Sequence, residues 1–145
     1  MVSINPALMK VFGFWGAILV IKLLAMVPLT ARQRFRKKVF ANPEDTGFAP
    51  KGKVTFDDPD VERVRRCHLN DLENILPWFL ITFLYLTTGP SVWLATNLIR
   101  GFVFSRIAHT LTYAVCPMQP GRAISFFVGY IIMGYQAVNC LMHYM

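Results

Sequence analysis

Three polar residues in the middle of the chain have a spacing that suits ligand binding. Arg66, Asn70 and Glu73 lie at positions i, i+4 and i+7, so an α-helix would place a guanidinium, an amide and a carboxylate in one stripe. The stripe would span roughly 10 Å, which is comparable to an extended tripeptide. This pattern predicts a site for a short zwitterionic, peptide-like ligand. The alternative is that Arg66 and Glu73 only pair with residues on neighbouring helices.

A second set of polar residues occurs towards the end of the chain. Arg106, His109 and Tyr113 share a helical face by the same spacing rule, although the histidine could be satisfied inside the fold and the tyrosine could be an interfacial anchor. Arg122 follows Pro120-Gly121, which is a signal for a helix start. Its cation would add to the positive end of the helix dipole, and a thiol there would ionise more readily. The alternative for Arg122 is a charge that sets membrane topology.

The composition indicates which elements position these residues. The chain has 145 residues, room for one domain, and 54% of them are hydrophobic, which exceeds the usual soluble composition. Apolar stretches at 8–29, 75–88, 92–113 and 123–144 predict an all-α, integral membrane four-helix bundle. The second stretch is long enough only if its helix begins in the charged segment upstream. The predicted single domain, 1–145, has helices at about 8–31, 60–88, 91–114 and 121–144 and a cytosolic loop at about 32–60.

The distribution of basic residues predicts the orientation of this bundle. Ten of the fifteen Lys and Arg residues lie between Arg32 and Arg66, and the positive-inside rule puts that loop in the cytosol. Four spans then place both termini on the non-cytosolic side. The same topology brings Arg34 and Arg122 to the cytosolic level, beside segments 66–73 and 106–113. The chemistry is therefore expected to face the cytosol.

Charged residues inside the predicted spans need partners. A charge at membrane depth costs at least roughly 2.5–3.5 kcal/mol, so Lys22 and Arg100 each require an acidic or carbonyl group. No Asp or Glu follows Glu73, and this imbalance favours an anionic ligand over internal salt bridges alone. The net charge of +7 is interpreted as a membrane and topology signal, and no nucleic-acid partner is predicted.

The cysteines and the remaining motifs indicate no metal chemistry. Cys67, Cys116 and Cys140 show neither a metal-ligand spacing nor a CxxC motif, and their number is odd. The sequence therefore predicts no metal site and no disulfide framework.

Four motifs at these positions resemble the MAPEG family, the membrane-associated proteins in eicosanoid and glutathione metabolism. The resemblance implies a homotrimer in the membrane of the endoplasmic reticulum or the outer mitochondrial membrane. It also implies that glutathione binds between neighbouring protomers near the cytosolic face, without a metal. The motifs are RKKVFANPED (36–45), DVERVRRCHLNDLENILP (60–77), RIAHTLTY (106–113) and RAISFFVGY (122–130).

The resemblance also implies roles for individual residues. Arg122 matches the catalytic arginine that stabilises the glutathione thiolate. The implied activity is a glutathione transferase that conjugates glutathione to hydrophobic electrophiles partitioned into membrane lipid, and that also reduces lipid hydroperoxides. The residues that match positions in or near the glutathione site are Arg34, Arg66, His68, Asn70, Glu73, Arg106, His109 and Tyr113.

Two other activities within the family are alternatives. One is a glutathione-dependent isomerase that converts prostaglandin H to prostaglandin E, and Asp45 matches an aspartate proposed to act in that reaction. Ala123 and Phe126 replace a serine and a tyrosine of the isomerase members, and this pattern favours the transferase. The transferase members carry a cysteine, modified on activation, where this chain has Thr46. The other alternative is a non-catalytic lipid-binding adaptor, which would be expected to lack the glutathione residues.

Overall fold

The computed structural model describes residues 4–145, and this part of the chain is predominantly helical, as predicted. Four long α-helices occur in this range, and a π-helical turn, Leu111–Val115, continues the third. The helices are α1 (Pro6–Lys37), α2 (Pro59–Thr87), α3 (Val92–Thr110) and α4 (Gly121–Tyr144).

The start of α2 explains how a short apolar run becomes a long helix. The side chain of Asp58 caps the helix by accepting hydrogen bonds from the backbone N–H groups of Asp60 and Val61, both at 3.1 Å. Pro59 occupies the first helical position, where its missing N–H does no harm. The charged segment that carries Arg66 and Glu73 therefore belongs to the same helix as the apolar residues after Ile75.

The helix α1 extends beyond the predicted end at about residue 31. It continues through the basic run to Lys37 and stops where Lys38 adopts a left-handed conformation, with φ of 57°. Basic residues in the last turn of a helix interact favourably with its dipole. Arg34 is consequently a helical residue rather than a loop residue.

The connection between α1 and α2 contains structure that the sequence analysis did not predict. Two short parallel strands, β1 (Val39–Phe40) and β2 (Lys53–Val54), enclose a 3₁₀-helix at Pro43–Phe48. The backbone N–H of Lys53 donates to the carbonyl of Lys38 at 3.1 Å. The connection is thus tied to the end of α1.

The bundle has a diagonal arrangement. The helices α1 and α4 each pack against both α2 and α3, whereas α2 and α3 meet mainly through a few central side chains. The rings of Trp78 and Phe102 stack there with centroids 5.0 Å apart, and both residues are fully buried with Ile75 and Ile99. Close packing of these large side chains stabilises the centre of the bundle.

Two helices in the described range, α1 and α4, are long and apolar enough to cross a membrane by length and composition. Charged and polar side chains interrupt the apolar residues of the other two helices, among them Glu73 in α2 and Arg106 in α3. The number of spans, the side of the termini and the trimer stay predictions.

Candidate functional site

The first part of the candidate site is a cavity of about 280 Å³ formed by α2, α3 and α4. We call it the α2–α3–α4 cavity. It brings together four of the residues predicted from the sequence, one from α2, one from α3, one from the π-helical turn and one from α4. The lining residues are Asn70, His109, Tyr113, Gln119, Arg122, Ala123, Phe126 and Phe127.

Arg122 is the cation of this cavity. It is the second residue of α4, so the positive end of the helix dipole adds to its charge. Its guanidinium carbon lies 4.6 Å from the ring centroid of Tyr113, a cation–π distance. With the amide oxygen of Gln119 turned towards it, Arg122 also donates from Nη2 at 2.7 Å and from Nε at 3.1 Å.

The electrostatics at Arg122 favour an anion. Among residues 4–145, no carboxylate lies within ion-pair distance of its guanidinium. The neighbours that hold it, Tyr113 and Gln119, carry no formal charge in these contacts. A negative charge in the cavity would therefore meet a positioned cation that is not already neutralised.

A buried polar network lies behind this cavity. Nη2 of Arg106 donates to Oδ1 of Asp71 at 2.8 Å and to Oδ1 of Asn70 at 2.8 Å, and it lies 3.2 Å from Nδ1 of His109. Lys22 of α1 forms an ion pair with Oδ2 of Asp71. Asp71 and Arg106 are completely buried. The network connects three helices at the level of the site.

This network contains two cations that were singled out in the sequence. Arg106, which matches a position in or near the glutathione site, does not line the cavity, and its guanidinium is engaged by Asp71 and Asn70. Lys22 has the acidic partner that its depth requires, but it shares this carboxylate with Arg106, so the positive charge of the pair is only partly compensated. Arg100, the other cation predicted at membrane depth, is exposed on α3 and has no ion-pair partner within residues 4–145.

The sequence analysis missed Asp71. A carboxylate inside a predicted membrane helix is by itself a signal for a functional or paired group. The helical spacing that singled out Arg66, Asn70 and Glu73 defines one face of α2, and Asp71 points away from that face. Its importance becomes visible only when α1 and α3 are packed against α2.

Arg34 and His68 lie in a different place, which we call the α1–α2 cavity. This cavity has a volume of about 340 Å³ and is lined by residues of α1 and α2 only, with Arg65 as a further basic side chain. One terminal nitrogen of Arg34, Nη1, is buried without a hydrogen-bond partner. The predicted site residues are therefore divided between two cavities of one chain.

Arg66 and Glu73 line neither of these cavities. Both are exposed and have no ion-pair partner among the described residues. At about 100° per residue they lie on the exposed face of α2, next to Asn70 and between the two cavities. Asp45 is more remote still, since it lies in the 3₁₀-helix, where it accepts a hydrogen bond from Asn42 at 3.1 Å.

These features define a class of protein before any relative is considered. A mostly helical chain with two helices able to cross a membrane carries a basic, partly buried site at one end of its bundle. Such a site suits an anionic or peptide-like ligand.

Comparison with known proteins identifies the family. The MAPEG family model matches residues 12–142, and the chain belongs to this family. The chain is 46% identical over 130 residues to "Microsomal glutathione S-transferase 1" of Mus musculus, covering 87% of this chain and 83% of the relative. The human protein of that name is 47% identical over 123 residues, covering 82% and 79%. Human "Prostaglandin E synthase" is 34% identical over 141 residues, covering 97% and 92%.

Proposed function

We propose that this protein is a membrane-bound glutathione transferase that conjugates glutathione to hydrophobic electrophiles. The relatives named as microsomal glutathione S-transferase 1 support the enzyme class. The single observation that carries the chemistry is Arg122, a cation at a helix start that faces a cavity and has no carboxylate partner among the described residues. This is the environment in which a thiol ionises and becomes a nucleophile.

The proposed reaction uses the thiolate of glutathione. The thiol proton passes to solvent, and the guanidinium of Arg122 stabilises the sulfur anion that remains. The thiolate attacks the electrophilic carbon, a C–S bond forms, and the leaving group departs with its electron pair. With a lipid hydroperoxide, the thiolate attacks the terminal oxygen, the O–O bond breaks, and the alkoxide leaves and takes a proton from solvent to become the lipid alcohol. A second glutathione then converts the sulfenic acid to the disulfide and water.

The binding of glutathione is assigned to the polar residues around the cavity. Arg66 and Glu73 are exposed and unpaired within the described chain, so they are available to a carboxylate and to the ammonium group of the ligand. Such contacts are charge-assisted hydrogen bonds, which are about twice as strong as neutral ones. Asn70, His109 and Tyr113 supply polar groups at the cavity wall.

We further propose that a second copy of the chain completes each site, in a homotrimer. The α2–α3–α4 cavity, at about 280 Å³, is slightly smaller than the usual range for ligand pockets, about 300–1,000 Å³. Arg34 and His68 lie in the other cavity, across the exposed face of α2. A neighbouring copy that packs on this face would add its Arg34 and His68 to the first copy's Arg122.

The proposed site between two copies can be tested by coexpressing two inactive variants. Arg34→Ala and Arg122→Ala damage opposite halves of the proposed site, so each variant alone should lose most conjugating activity. Coexpression of the two should restore part of it, because some interfaces then join an intact Arg34 to an intact Arg122. Mass measurement of the purified complex should give three chains. Absence of any restored activity would place both residues in one copy's site.

The proposed location follows from the source of the two substrates. Glutathione reaches the site from the cytosol, in the membrane of the endoplasmic reticulum or the outer mitochondrial membrane, with both termini on the opposite side. The electrophile arrives laterally through the lipid. Holding both substrates near Arg122 supplies the proximity that accelerates a bimolecular reaction.

The decisive experiment is the ultraviolet absorbance of the glutathione thiolate near pH 7, recorded with purified protein. The wild type should show a thiolate band, and Arg122→Ala should lose it together with about 10²–10³-fold in kcat, the usual effect of removing a positioned charge-stabilising group. Arg100→Ala is a matched control, because Arg100 is exposed and lines neither cavity. A wild type without thiolate and without conjugation would favour the non-catalytic adaptor.

The isomerase is the second candidate, since human "Prostaglandin E synthase" is a relative at 34% identity. Ala123 and Phe126 line the α2–α3–α4 cavity at positions where the isomerase members carry hydroxyl groups. The cavity wall therefore lacks those two polar contacts, and this supports the transferase. Product analysis with prostaglandin H distinguishes the two activities.

A further inference from the structure

We propose that Lys22, Asp71 and Arg106 form a buried charge network that fixes Asn70 and His109 as hydrogen-bond donors towards the ligand. The network thereby selects a ligand that offers acceptors at this wall of the cavity. The identity of that ligand as glutathione rests on the proposed function. The network itself rests on contacts within the chain.

The network is centred on one carboxylate, and Nε and Nη1 of Arg106 are buried without a hydrogen-bond partner among the described residues. Oδ1 of Asp71 accepts from Arg106 of α3, and Oδ2 pairs with Lys22 of α1 and lies 3.4 Å from the hydroxyl of Thr110. Asp71 and Arg106 are fully buried, and the Lys22 side chain is only 10% exposed. Buried charges are retained only when they are paired in this way.

One nitrogen of Arg106 connects this arrangement to the site. Nη2 contacts Asp71 and also reaches Asn70 Oδ1 at 2.8 Å and His109 Nδ1 at 3.2 Å. A guanidinium can only donate. The oxygen of Asn70 is therefore the acceptor in its contact. Nη2 has two hydrogens for three neighbours, so one hydrogen is shared, and Nδ1 of His109 takes part in this shared contact only as the unprotonated nitrogen of a neutral ring.

The consequence for the cavity is a fixed polarity. With its oxygen held by Arg106, Asn70 keeps its NH₂ group, which has no partner among the described residues, for the ligand. With Nδ1 as the acceptor, the proton of His109 resides on Nε2, and this N–H is the second donor. Both residues line the α2–α3–α4 cavity beside Arg122. Peptide carbonyls and carboxylates, which are acceptors, fit such a wall.

The net charge of the network also favours a ligand that carries acceptor groups. Two cations share one carboxylate, so the network carries a net positive charge directly behind the cavity. In a buried setting this charge is screened less than in water. An anionic ligand would be favoured and a cationic one disfavoured. Lys22 and Asp71 act through Arg106 and are positioning residues, not catalytic ones.

Arg106→Lys separates the network's geometry from its charge. The variant retains two cations and one carboxylate, but the lysine side chain is shorter and does not carry its ammonium to the position from which Nη2 meets Asp71, Asn70 and His109. Side-chain ¹⁵N spectra should show His109 fixed as the Nε2–H tautomer in the wild type and as a tautomer mixture in Arg106→Lys. Glutathione should bind about tenfold more weakly, the effect of about 1.4 kcal/mol.

A second variant keeps the test valid if Arg106→Lys does not fold. Lys22→Met leaves the Asp71–Arg106 pair intact and neutral, so it should preserve the His109 tautomer and weaken glutathione binding by about threefold through the lost charge. Lys22→Arg should restore the affinity. The chain has three histidines, and His109→Gln assigns the signal.

The matched control removes a buried hydrogen bond elsewhere. Gln136→Leu breaks the Thr82–Gln136 contact of 3.0 Å between α2 and α4, and it should change stability without changing the His109 tautomer or the glutathione affinity. An unchanged His109 signal and unchanged affinity in a folded Arg106→Lys would overturn the network's role. If the wild type binds no glutathione, the proposed function fails, and the tautomer measurement, which needs no ligand, separates the two failures.

Discussion

The charged residues on the two faces of α2 differ in whether they have ion-pair partners within the described chain. On the buried face, Asp71 has both carboxylate oxygens engaged, by Lys22 of α1 and Arg106 of α3. On the exposed face, Arg66 and Glu73 have no ion-pair partner within residues 4–145. The contrast teaches that the packing of the helices, and not charge alone, decides which charged residues are satisfied within the chain. The exposed face is the one that remains open to water, to a ligand or to another copy.

The strongest test of this contrast is Asp71→Asn. The substitution leaves Lys22 and Arg106 buried without a carboxylate, and removal of one partner from a buried pair typically costs about 3–5 kcal/mol. Chemical unfolding in mild detergent should show a loss of that size. Glu73→Gln removes the same charge two residues away and is the control. Equal losses of stability in both variants would contradict the division between the two faces.

A smaller effect is expected when the exposed face is tested for ligand binding. Glu73→Gln should weaken glutathione binding about tenfold, since it removes a charge-assisted contact to the ligand ammonium. The free energy of unfolding should change by less than about 0.5 kcal/mol, as for other surface substitutions. Calorimetric titration with glutathione measures the first quantity. An unchanged affinity would mean that Glu73 serves contacts between copies instead.

The predominantly helical fold was accessible from the sequence because long apolar segments have few alternatives in lipid. The stripe of Arg66, Asn70 and Glu73 was accessible for a similar reason, since spacing along one helix fixes which residues share a face. Both predictions depend on the sequence of a single helix and not on its neighbours. The proposed ligand contacts of these residues stay predictions.

Features that depend on contacts between helices could not be predicted from the sequence. Arg106 shares a helical face with His109, but spacing could not show that α2 and α1 would supply Asp71 and Lys22 as its surroundings. The short parallel pair of β1 and β2 was missed for the same reason, because two-residue strands have no pattern of their own. The division of the predicted site residues between two cavities also follows from packing, which places Arg34 in one cavity and Arg122 in the other.

The smallest expected effect concerns the cap that both faces of α2 share. Asp58→Ala removes the acceptor for the N–H groups of Asp60 and Val61 and should cost about 1 kcal/mol of stability. Asp58→Asn retains an acceptor and should remain close to the wild type. Since the cap lies about two turns before Arg66, glutathione affinity should be the same in both variants. A loss of affinity in Asp58→Ala alone would mean that the first turn of α2 positions the exposed face, and that the two faces are not independent.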